Sequence, residues 1–64
     1  MIRKHRIKKG ITQKELAKKL KVSQSYISKL ENKSINNIDR KIIFKLSCIL
    51  NVDASELLIW LLYQ

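Results

Sequence analysis

A chain with no proline and a single glycine, Gly10, contains few of the residues that tight strand-to-strand turns demand. A sandwich of short strands needs many such turns, so the sequence points to short helices joined at compact corners. Apolar residues make up 45%, too many for a disordered segment at this charge. Sixty-four residues form one domain, 1–64, whose small core has to pack efficiently or be helped by self-association. The expected fold class is all-α.

Caps and periodicity mark five helices. The first spans about Ile2 to Lys9 and stops at Gly10, the residue type favoured just beyond a helix. Thr12-Gln13-Lys14-Glu15 is a capping box that opens the second, with Leu16, Ala17 and Leu20 as its apolar stripe. Lys21-Val22 is a tight break, and Ser23 is the N-cap of the third. On a 3.6-residue wheel Ile27 and Leu30 share one side of that helix. Gln24, Ser25, Ser28, Lys29 and Asn32 share the other. Residues 33–37 read as a loop. A fourth helix runs from about Ile38 to Leu50, capped by Asn37 or Asp39, with Ile42, Ile43, Leu46, Ile49 and Leu50 inward. Asp53 caps a fifth, in which Ala54, Leu57, Leu58 and Leu61 are spaced to face the core.

The formal charge is +9, and its placement is more informative than its size. Residues 1–33 hold eleven Lys/Arg against Glu15 and Glu31, whereas residues 34–64 hold three of each sign. A basic field confined to one half points to a polyanionic partner, nucleic acid before membrane. Cys48 stands alone, so neither an internal disulfide nor a cysteine-rich metal site can form, and its place in an apolar repeat predicts a small buried hydrophobe. His5 has no second ligand at metal-binding spacing and is expected on an exposed helix face. The run Leu57–Tyr63 is too short to span a bilayer, and no secretory leader is visible. A cytoplasmic, nucleoid-associated protein is expected, with no membrane partner, no small-molecule ligand, no metal and no cofactor. An enzyme is excluded because no nucleophile–base pair and no glycine-rich phosphate loop can be assembled.

Two short helices joined by a turn, the second with an apolar back and a polar front, suit entry into the DNA major groove. Gln24 can bond bidentately to adenine, Lys29 can donate to guanine N7 and O6, and Ser25 and Ser28 are short enough to bond bases or phosphates. Gln13, on the first turn of the second helix, is placed for a phosphate near a positive helix end.

The segments Gly10-Ile11-Thr12-Gln13-Lys14-Glu15-Leu16-Ala17 and Leu20-Lys21-Val22-Ser23-Gln24-Ser25-Tyr26-Ile27-Ser28-Lys29-Leu30-Glu31-Asn32 resemble the Cro/repressor-type (XRE) helix-turn-helix family, to which the lambdoid phage repressors belong. The dense match covers residues 10–32, and the helix-turn-helix itself falls at about 13–32. The resemblance implies a compact five-helix, lambda-repressor-like domain that binds two-fold symmetric operators in double-stranded DNA as a homodimer. It places Gln24, Ser25, Ser28 and Lys29 on the base-reading surface. Gln13, Ser23, Tyr26, Lys33, Ser34 and Asn36 fall at phosphate-contacting positions. It also implies an ion pair between Arg6 and Glu31 that ties the first helix to the end of the third. Lys21 occupies a turn position where glycine is common, at a cost of about 1–2 kcal/mol if the backbone there is left-handed. Lys33 replaces another frequent glycine, so Asn32 is expected to end the third helix, and His5 replaces an apolar residue.

With Ala54, Leu57, Leu58 and Leu61 inward, Ile59, Trp60, Leu62 and Tyr63 are left as an apolar patch that a partner would cover. A homodimer interface is the expected use, unless Trp60 folds back over its own core. A second class of function uses the same helix: a protein-interaction module, such as an antitoxin or a partner that sequesters a regulator. Strong salt dependence of DNA affinity separates the two classes in favour of DNA binding.

Overall fold

A computed structural model describes residues 1–63. Five helices follow one another: α1 (Ile2–Lys8), α2 (Gln13–Leu20), α3 (Gln24–Glu31), α4 (Arg40–Leu50) and α5 (Ala54–Leu62). No strand occurs among the described residues.

Four of the starts are side-chain capped. Thr12 Oγ1 accepts from Glu15 N–H at 3.0 Å while Thr12 N–H donates to Glu15 Oε1 at 3.1 Å, the reciprocal box read from sequence. Ser23 Oγ accepts from Tyr26 N–H at 3.1 Å. Asp39 Oδ1 accepts from Lys41 N–H at 2.9 Å, which settles the choice between Asn37 and Asp39 and starts α4 two residues later than Ile38. Asp53 Oδ1 accepts from Ser55 N–H at 2.8 Å and also from the Ser55 hydroxyl. Each such cap stabilises its helix by about 1 kcal/mol. The bonds from the Ser55 hydroxyl and from the Ser55 and Glu56 amides hold the Asp53 carboxyl below its ordinary value. Glu15 is lowered in the same way, first by the Thr12 amide.

The four internal helix ends share one stop. After α1, Ile11 N–H reaches back to Arg6 O and Gly10 N–H to Ile7 O. The same nested pair recurs as Val22 to Ala17 and Lys21 to Lys18, as Ser34 to Lys29 and Lys33 to Leu30, and as Val52 to Ser47 and Asn51 to Cys48. This is the Schellman arrangement, and it needs a left-handed residue at its centre. Gly10 (φ 72) supplies it once; Lys21 (φ 57), Lys33 (φ 56) and Asn51 (φ 57) supply it without glycine. Asn32 does end α3, and Lys33 takes the strained conformation after it. Since Lys21 is exposed, Lys21→Gly should relieve its backbone cost, less the extra entropy glycine loses on folding. Urea unfolding should show a net gain of about 0.5–1 kcal/mol, and a loss would mean that the lysine side chain is engaged.

α2 packs chiefly on α3 and α4 on α5, with α1 lying against α3 and α4. Ile2, Leu16, Ile27, Leu30, Ile43, Leu46, Leu50 and Leu57 are fully buried between them. Several expectations shift at this level. α1 is one residue shorter than Ile2–Lys9 because Lys9 already belongs to the turn. Ile42, Ile49, Ala54 and Leu58 are half-buried at the margins of the core. His5 is also half-buried, its Nδ1 lying 2.8 Å from Met1 O. Cys48 is exposed, on the α4 face opposite Ile43, Leu46 and Leu50. Ser47 takes the inward slot instead, and its hydroxyl donates to Phe44 O at 2.6 Å.

Candidate nucleic-acid interface

The back of α3 is fixed by Ile27 and Leu30, both fully buried, so its opposite side must face outward. Gln24, Ser25 and Lys29 are exposed there and Ser28 is half-buried. None of these four side chains is hydrogen-bonded to the protein among the described residues. Gln13 at the start of α2 joins Gln24, Ser25 and Ser28 in lining a shallow depression. The structure thus brings three of the four residues expected to read bases together with one of those expected at phosphates, and places Lys29 further along the same outward side of α3.

The remaining positions fall into three groups. Tyr26 is half-buried and, with Lys29, Ser34 and Asn36, lines a second depression at the far end of α3. Burial, and then the nearby Asp39 carboxylate, pushes the Tyr26 hydroxyl above its ordinary value. Ser34 and Asn36 are exposed; Ser34 Oγ leans on Lys29 O at 3.4 Å. Ser23 is exposed at the other end, where its hydroxyl serves as the cap of α3.

Gln13 and Lys33 have structural attachments that sequence did not reveal. Gln13 is half-buried and its Nε2 donates to Glu31 Oε1 at 2.9 Å. Glu31 also accepts from Arg6 Nε at 2.6 Å and, more loosely, from Arg6 Nη2 at 3.4 Å. Arg6 Nη1 donates to Ile11 O at 2.9 Å. The two charged side chains are 10% and 4% exposed, so the Arg6–Glu31 pair is a desolvated clamp joining α1, α2 and α3. Lys33 is half-buried, with its ammonium 3.0 Å from Tyr63 O and 4.6 Å from the centre of the Trp60 ring. The cation therefore lies on the last turn of α5. Trp60 is half-buried against the core, the folded-back arrangement, and is not part of an exposed edge. Ile59, Leu62 and Tyr63 remain 53%, 64% and 76% exposed.

A family model described as Helix-turn-helix matches residues 2–57, nearly the whole fold. The chain belongs to the Cro/repressor-type (XRE) helix-turn-helix family. It is a DNA-binding transcription regulator in kind, in an all-α, lambda-repressor-like fold. No curated protein and no solved structure matches it. The match takes in the whole helix-turn-helix and the Arg6–Glu31 clamp of this Cro/repressor-type domain. It stops before Ile59, Leu62 and Tyr63. Among the described residues no group of His, Cys, Asp or Glu is placed to hold a metal ion. None of the described helices is long and apolar enough to cross a membrane.

Proposed function

We propose that this chain is a sequence-specific repressor, acting on nucleoid DNA in the cytoplasm as a homodimer bound to a pseudo-palindromic operator. The observation that supports it most is the outward side of α3, where Gln24, Ser25, Ser28 and Lys29 present amide, hydroxyl and ammonium groups with no hydrogen-bond partner among the described residues. In the major groove these groups discriminate base pairs by their donor and acceptor pattern. Ser23 and Gln13 at one end of the motif, and Tyr26, Ser34 and Asn36 at the other, flank the reading surface and would fix its register on phosphates. Gln13 has one amide proton engaged by Glu31 and a second for a phosphate oxygen. Lys33, held over α5, would contribute a neighbouring positive charge rather than a long reach.

The homodimer rests on the outer side of α5. Ile59, Leu62 and Tyr63 form an apolar edge on a very small domain, and a second copy would remove it from water. Two α3 helices related by a two-fold axis would then enter successive major grooves, roughly 34 Å apart.

Selection from a random duplex pool tests both parts. The selected site should be an inverted repeat, and Lys29→Ala should relax preference at one or two pairs in each half by about 1–3 kcal/mol. A selected site without two-fold symmetry would count against the dimer. Base preference unaltered in Lys29→Ala would remove Lys29 from base reading.

A further inference from the structure

The base-reading surface does not end at α3. Gln13 and Gln24 line the shallow depression on the motif and also one wall of a broad, open groove. The opposite wall of that groove is α1, which contributes Arg3, Lys4 and Ile7. Arg3 and Ile7 are one helical turn apart and so share an edge. Both cations are exposed, and neither is paired with an acid among the described residues. Glu31 is the one acidic side chain in the groove, and it is committed to Arg6 and Gln13. The groove is therefore electropositive along its α1 wall and joined without interruption to the surface that faces bases.

We propose that this groove holds the phosphodiester backbone of duplex DNA flanking the contacted base pairs, with Arg3 and Lys4 as phosphate-contacting residues outside the helix-turn-helix. The inference rests on the DNA-reading role of α3 given above. Each strand of duplex DNA presents a phosphate about every 3.4 Å of axis, so the strand that passes Gln13 continues along any cationic surface beside it. The α1 wall is the adjoining surface with that charge, and Ile7, 58% exposed, leaves its rim unobstructed by a second long polar chain.

Arg3→Gln combined with Lys4→Gln removes both charges from exposed positions that the core does not use. Each phosphate contact adds about 0.9 to the slope of log affinity against log salt, so the double variant should lose about 1.8 from that slope per subunit, about 3.6 for the bound homodimer. Between 50 and 200 mM salt the parent homodimer should then weaken roughly a hundredfold more than the variant. Extending the duplex by several pairs on each side should tighten the parent and leave the variant unchanged. Lys41→Gln with Lys45→Gln, the same charge loss on the exposed face of α4, should keep the parent's slope. A double variant with the parent's slope and the parent's response to flanking pairs overturns the groove assignment and leaves the reading of α3 intact. A parent that binds no duplex at low salt overturns both.

Discussion

Glu31→Ala is expected to destabilise the domain by about 3–5 kcal/mol, because it leaves the Arg6 guanidinium desolvated without its counter-charge. Glu31 is 4% exposed and accepts from Arg6 Nε, Arg6 Nη2 and Gln13 Nε2, so three donors on two elements lose their acceptor together. A domain of this length is stable by roughly 3–10 kcal/mol, and the loss takes most or all of it. Far-UV circular dichroism through a urea titration should show a sharply lower midpoint or no folded baseline. The pair as a whole contributes far less than its rupture costs. Arg6→Met with Glu31→Leu should recover most of the stability, since an apolar pair of similar volume avoids burying charge. If Glu31→Ala loses less than about 1 kcal/mol, water reaches Arg6 and the clamp is not desolvated.

Leu57→Ala is the second large effect. Leu57 is fully buried and anchors α5 on the core, so truncation removes its transfer energy and leaves a cavity, about 2–5 kcal/mol in all. In a domain this small that corresponds to a fall in Tm of about 15–35 °C. Ile59→Ala, two residues further along the same helix but more than half exposed, serves as the contrast and should move monomer stability by less than about 0.5 kcal/mol. Equal losses from the two changes would show that α5 is oriented differently on the core.

Most of this architecture is legible in the residues, and the exceptions have identifiable causes. Thr12, Ser23 and Asp53 announce helix starts because a short oxygen-bearing side chain before an apolar period has one favourable use. Gly10 announces a helix end. Only the family resemblance points to Lys21 and Lys33, and nothing in the sequence points to Asn51, because no residue type other than glycine signals a left-handed stop reliably. Cys48 reads as buried from its place in an apolar repeat, and the structure exposes it. The inward positions of α4 are 43, 46, 47 and 50, and their phase puts residue 48 outside, whatever the apolar preference of a thiol. On the interface, the polar front of α3 followed from Ile27 and Leu30 alone. The bonds from Gln13 to Glu31 and from Lys33 to Tyr63 join residues 18 and 30 positions apart, and no local pattern encodes such pairings.

The seat of Lys33 has a mechanical meaning. Its backbone closes α3 and its side chain rests on Trp60 and Tyr63, so the tail of the reading helix and the tail of α5 are braced by one residue rather than joined through slack chain. If two copies meet along α5, the separation of their reading helices is set by this strut in each subunit, and a shift at the seam is relayed as a change in the half-site spacing the pair will accept.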